Sequence, residues 1–159
     1  MIIKGFNNYD LDGSFVYFIF SKELLYIGET QKITFSRWVQ HFYKQGTFTT
    51  KIRKHGNPDT NYLQHINLLS VELEAIRTSF SQHRWKVITQ AVEHSIHIIL
   101  QSSRTELLQA YYHKYEPEID LYKIVSDTSK TAPRNLPSEE KIFVEEYSQE
   151  ILAKIYEFL

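Results

Sequence analysis

Residues 24–42 read LLYIGETQKITFSRWVQHF. A short apolar strand runs into Tyr-Ile-Gly, crosses a polar loop, and enters a helix carrying Arg37 and His41 one turn apart. Side chains four apart share a helix face. A hydrophobic core has no use for a guanidinium stacked over an imidazole; a site that handles a phosphate does.

Working outward, FVYFIF (15–20) is a continuous apolar and aromatic run of strand length, broken by Ser-Lys-Glu before LLYIG (24–28). Two such runs with a short polar break predict a β-hairpin. The first run has no polar alternation, so both its faces are expected to be covered. Parity decides what the hairpin delivers. An even-numbered loop puts Tyr17 and Tyr26 on the same face of the sheet, an odd one on opposite faces. The sequence leaves the loop length open.

Downstream, Thr34 is placed to cap a helix over about 35–45, with Gly46 just past its end and Phe35, Trp38, Val39 and Phe42 on its apolar side. A second short helix, about 48–55, carries Lys51, Arg53 and Lys54 and stops at His55-Gly56-Asn57-Pro58. Residues 65–76 are rich in branched side chains and predict a strand. After a break at 79–83, residues 84–101 suit a helix with Trp85, Ile88, Val92, Ile96 and Ile99 on one side, and Glu93 and His97 on another stripe. Glu93 taken alone reads as a surface position. Residues 104–115 look helical, Pro117 interrupts, 119–125 is a candidate strand, and 126–138 reads as a loop or linker. Ser138 then caps a helix to about 158, with Val144, Tyr147, Ile151, Ile155 and Phe158 at helical spacing.

The bulk numbers set the frame. A chain of 159 residues, 42% apolar, supports one domain with room for an extension. We expect a domain over 1–125 with its core at about 14–100, the 126–138 linker, and a 139–159 helix packed on the domain or at an oligomer interface. The absence of cysteine excludes disulfides and thiolate metal sites. MIIKGFNNYD lacks the apolar stretch of a signal peptide, and no apolar run reaches the roughly 18–20 residues of a membrane span. These features predict a soluble, cytoplasmic protein with no membrane partner.

The net charge is −1, but it is unevenly spread. Residues 1–56 hold eight Lys/Arg against four Asp/Glu, and the remainder ten against fifteen. A basic face serves phosphate binding even in a near-neutral chain. Lys32, Lys51, Arg53 and Lys54 are the candidate nucleic-acid contacts, although basic helix ends also arise from the macrodipole alone. Neither a Gly-rich phosphate loop, nor a Gly-x-Ser-x-Gly elbow, nor a His-Glu-x-x-His motif occurs. Nothing calls for an organic cofactor.

Taken in order, Tyr17, Tyr26-Ile27-Gly28, Arg37, His41 and Glu93 resemble the signature of the GIY-YIG nuclease family. VYF (16–18) stands where that family has GIY, and YIG (26–28) is intact. Arg37 and His41 match the Arg and the His or Tyr that follow four apart. TTKIRKHG (49–56) resembles the second helix and its ending. Glu93 occupies the helix that carries the family's metal-binding Glu. The resemblance covers roughly residues 14–100. Val16 and Phe18 replace the first motif's Gly and Ile, and no convincing counterpart of the family's later Asn is found.

The resemblance implies an α/β fold with a small, mainly antiparallel central sheet flanked by helices, here with a C-terminal helical extension. It implies a Mg²⁺-dependent (or Mn²⁺-dependent) endonuclease that hydrolyses phosphodiester bonds in DNA; the family serves restriction, repair, recombination and phage roles, and the short chain without a separate DNA-binding domain favours a stand-alone nuclease of restriction or phage type. Cleavage of both strands would call for a homodimer or two visits. Glu93 would be the metal ligand and Arg37 the phosphate clamp. Tyr17, Tyr26 or His41 would be the base. A free phenol titrates near 10 and an imidazole near 6.5, so the phenols need a nearby positive charge to serve at neutral pH. The alternative is a nucleic-acid-binding module that keeps the fold without the catalysis.

Overall fold

In the computed structural model, residues 12–102, 106–128 and 132–158 are described. The N-terminal decapeptide, the start of the predicted 104–115 helix and part of the 126–138 segment lie outside them.

The FVYFIF and LLYIG runs form the predicted hairpin, as strands β1 (Asp12–Ser21) and β2 (Leu24–Lys32). Their loop is two residues, Lys22 and Glu23, because Ser21 pairs with Leu24. Lys22 takes a φ of 50°, the left-handed backbone that so tight a hairpin requires of a loop residue. The loop is therefore even, and Tyr17, Ile19, Tyr26 and Gly28 share one face. Val16, Phe18, Phe20, Leu25 and Ile27 share the other, and both sets are almost wholly buried.

β3 (Ile66–Glu72) pairs antiparallel with the other edge of β1. The predicted strand over 65–76 stops early. The Leu73 N–H still bonds to the Ser14 carbonyl, and the chain then turns into the short helix α3 (Glu74–Ser79). Glu74 supplies the acid that favours a helix start. Of the candidate strand 119–125 only β4 (Lys123–Ile124) is strand, and it runs parallel to β2. The sheet, ordered β3-β1-β2-β4, is therefore mixed rather than mainly antiparallel. A long helical crossover precedes β4, and such a crossover can return the chain parallel to β2.

Helices cover both faces. On the tyrosine face lie α1 (Thr34–Phe42) and α2 (Thr47–His55), around Trp38 and Phe48. Thr34 is the first helical residue and makes no capping bond; Ile33 holds the cap position. α1 ends at Phe42 rather than 45, since Tyr43 is extended. Phe35, expected on the apolar side, is half exposed. The other face carries α4 (Gln82–Ser102), α5 (Glu106–Tyr115) and α6 (Ser138–Phe158). Ile88, Val92 and Ile96 of α4 pack into one core with Val144, Tyr147, Ile151 and Ile155 of α6. The C-terminal helix is thus packed on the domain, although Phe158 is half exposed instead of buried. Among the described residues no helix is long and apolar enough to cross a membrane.

Candidate active site

The site forms where β4 stops. Pairing with β2 ends at Leu25, which leaves the edge of β2 open from Tyr26 onward. There the two faces of the sheet meet, so side chains from α1 and α4 approach the same strand. The chain leaving β4 continues along this edge. The Ile27 N–H donates to Ser126 Oγ at 2.9 Å, putting residues 126–128 over the site instead of in a free linker.

Tyr17 lies opposite Gly28 in the ladder. Its ring crosses the strand at that glycine: a Cβ at position 28 would fall 2.4 Å from the Tyr17 hydroxyl. Gly28 does not end a strand, since β2 continues to Lys32; it makes room for the phenol. The Tyr17 hydroxyl meets His41 Nε2 at 2.7 Å, and the Tyr26 ring stands 4.6 Å from the imidazole, centre to centre. One turn of helix before His41, Arg37 is solvent-exposed and holds Gln40 Oε1 at 3.0 Å.

From α4, Glu93 enters almost completely buried, contrary to its reading as a surface position. The Thr128 hydroxyl donates to its Oε2 at 2.6 Å, and His97 Nε2 lies 3.1 Å from its Oε1. Ser126 Oγ is 3.2 Å from the same His97 nitrogen. A carboxylate offers only acceptors, so the proton belongs on His97 Nε2.

Tyr17, Tyr26, Gly28, Arg37 and Glu93 line one cavity of about 150 Å³, together with Ile27, Glu29, Gln90 and Asp127. His41 is absent from its wall; it sits behind the phenols. Larger clefts of about 600 and 640 Å³ lie between β3 and α6 and beside residues 117–124, and neither contains a predicted site residue. Among the described residues no group of three or more His, Asp or Glu stands ready to hold a metal ion.

The basic candidates fare unequally. Lys32 and Lys54 are exposed. Lys51 is engaged with Asp127 at 2.6 Å. Arg53 donates to the Lys44 carbonyl at 2.6 Å, tying α2 to the end of α1.

Burial dominates the electrostatics. It pushes the Tyr17 phenol well above its usual range, with a push from Tyr26 and an opposing pull from Arg37. Burial likewise pushes Tyr26 up to about 12; Arg37 lowers it, while Glu93 and Asp127 raise it. His41 is lowered to about 4, first by burial and then by Arg37, and is neutral at neutral pH.

Sequence reading missed Glu29, Gln90, Ser126, Asp127 and Thr128. Gln90, Glu93 and His97 recur at helical spacing as a polar stripe on a largely apolar helix, a signal that points to Gln90. The 126–128 residues carry no local signal, because only the brief β4 pairing brings them to the site. No family model, curated protein or solved structure matches the chain.

Proposed function

We propose that this chain is a metal-dependent DNA endonuclease that hydrolyses phosphodiester bonds, in the manner of the GIY-YIG nucleases its motifs resemble. One observation carries the reading: Tyr17, Tyr26, Arg37 and Glu93, remote in sequence, line a single small cavity, with His41 bonded to the first phenol.

The acceptor atoms on the cavity wall are oxygens, from Glu29, Gln90, Glu93, Asp127 and the two phenols. Such a set fits a hard cation, Mg²⁺ or Mn²⁺, rather than a soft one. Glu93 would hold it, since two of its roughly four lone-pair sites remain after Thr128 and His97 are served. When bound, the cation would offset charge on the phosphate oxygens and acidify water.

The protein's own groups do the rest. Arg37 presents its donors to the phosphate from the cavity rim, with a charge fixed at every working pH. Charge grows on the phosphoryl oxygens as water adds, so a preplaced guanidinium lowers the barrier. Water attacks phosphorus and one P–O ester bond breaks. The water's proton passes to Tyr17 as the Tyr17 proton passes to His41 Nε2, and the leaving oxygen takes its proton from solvent. This relay uses neutral His41 as the final acceptor, so no free phenolate need form. Tyr26 holds the attacking water from the other side. Lys32 and Lys54 supply outlying phosphate contacts, and cutting both strands calls for a homodimer or two visits.

A second reading, a nucleic-acid-binding module without catalysis, is favoured by one observation: burial holds both phenols far from ionisation. A gel assay of plasmid, linear and branched DNA separates the two. The nuclease reading predicts Mg²⁺-dependent cutting that is lost in Glu93→Ala and Arg37→Ala. Salt-sensitive binding without nicking selects the module, and metal-dependent cutting retained by Glu93→Ala contradicts the assignment.

A further inference from the structure

β3 is an outer strand of the sheet, and among the described residues no strand pairs with its free edge. Residues of an antiparallel strand alternate between bonding the partner and pointing away from it. The Leu73 N–H bonds to the Ser14 carbonyl, and the β1–β3 register runs without a shift, so Leu69 and Val71 bond to β1 in the same sense. Leu68 and Ser70 therefore direct their backbone N–H and C=O groups outward. Among the described residues nothing bonds these groups. Ser70 is only 2% exposed, and backbone groups shut away from water without a partner are costly. Edge strands are commonly blunted by Pro, Lys or a bulge; INLLSVE (66–72) has none of these.

The edge opens into the cleft of about 600 Å³ between β3 and α6, which residues 69–72 line in unbroken succession. Neighbouring side chains on a strand take opposite faces, so a cleft touching all of them follows the strand's edge and meets its backbone. Val71, Ile155 and the half-exposed Phe158 give it an apolar wall. Its charge is acidic: Glu72, Glu74, Glu150 and Glu157 stand against the single ammonium of Lys154. Glu72 and Glu150 are paired with Arg77 and Lys154, while Glu74 and Glu157 enter no ion pair among the described residues.

We propose that this cleft takes an extended peptide as a further strand of the sheet, and that the peptide alternates basic and apolar residues. Backbone bonds to Leu68 and Ser70 hold it, the mode of recognition known as β-augmentation. Its apolar side chains face the Val71–Ile155–Phe158 wall, and its lysines or arginines meet Glu74 and Glu157. A second copy of this chain fits worse, because pairing β3 with its twin sets one acidic cleft against another. The cleft contains no predicted catalytic residue, so this docking stands apart from the nuclease chemistry.

The probe is the peptide acetyl-Lys-Val-Lys-Ile-Lys-Val-Lys-amide, titrated into the isotope-labelled full chain and followed by amide NMR. Saturable binding below about 1 mM is expected, with shifts centred on residues 68–72 and 150–158. Exchanging the peptide's lysines for glutamates should weaken binding by about tenfold or more. Along a strand, alternate N–H groups face the partner. N-methylation of either the lysines or the apolar residues, in two separate peptides, should therefore cost about tenfold in one peptide and little in the other. These peptide comparisons need no change to the protein. Glu74→Lys combined with Glu157→Lys, both at exposed positions, should weaken binding about two- to fivefold. No saturable binding, equal binding of the two N-methylated peptides and the parent, or shifts centred elsewhere overturns the proposal. Concentration-dependent shifts at 68–72 that report self-association and persist with the peptide present make the edge a self-interface, and overturn it as well.

Discussion

Tyr17 and Gly28 face each other across the β1–β2 ladder, and the phenol ring lies over the glycine so closely that a Cβ there would sit 2.5 Å from the ring's Cζ. The glycine of Tyr-Ile-Gly is thus a spatial requirement of the first-strand tyrosine. Overpacking of this kind costs about 1–3 kcal/mol. Gly28→Ala should lose about that much in urea unfolding and should displace Tyr17 from His41, abolishing cleavage.

The two tyrosines should separate stability from activity. Tyr17→Phe leaves the His41 nitrogen in a buried site without its partner, at a cost of about 1–3 kcal/mol. Tyr26→Phe removes a hydroxyl from the cavity wall and should change stability by no more than about 0.5 kcal/mol. Both should lower the rate of cutting by about 10²–10⁴-fold. Paired denaturation and single-turnover measurements check this; a Tyr26→Phe variant with full activity would remove Tyr26 from the site.

Much of this was legible in the primary structure, for identifiable reasons. Tyr17, Tyr26, Arg37 and His41 lie within 25 residues, so hairpin parity and helix periodicity bring them together once the loop is two residues long. Glu93 could be placed on its helix but not in the cavity, because its burial depends on Thr128 and His97. The parallel course of β4 and the position of Asp127 have no local signature: two residues of strand pairing set both. The same limit applies to residues 73–76, whose pattern continues that of the strand, while in the fold one backbone bond from Leu73 to Ser14 closes the ladder before the chain turns into α3.

His41 gives a pH dependence of definite sign. Its folded pKa, about 4, lies below the unfolded value of about 6.5, so the unfolded chain binds more protons between them. Stability from this group is complete above pH 6.5 and falls as pH drops toward 4, by on the order of 2–3 kcal/mol. Thermal melts from pH 7 to 4 should show the loss, and His41→Gln should flatten it. In the relay, kcat/KM should hold level from about pH 5 to 8 and decline only near 4. An inflection near 6.5 would contradict the buried, neutral imidazole.

Arg37 is exposed; it bonds Gln40 Oε1 and reaches the Tyr17 phenol, whose ionisation it favours. Arg37→Ala should shift stability by no more than about 0.5 kcal/mol. Its effect on cutting should be about 10²–10³-fold, the scale for losing one preplaced donor to the transition state. Arg37→Lys should recover little, since an ammonium lacks the planar fork.

The central claim is that Glu93 serves metal-dependent hydrolysis in this cavity, and relaxation of supercoiled plasmid in Mg²⁺ tests it most directly. The wild type should nick the plasmid and stop when the cation is chelated, while Glu93→Gln, matched in shape and shown to be folded, should leave it supercoiled. Nicking by Glu93→Gln at the wild-type rate, or none by the wild type in either Mg²⁺ or Mn²⁺, would contradict the account.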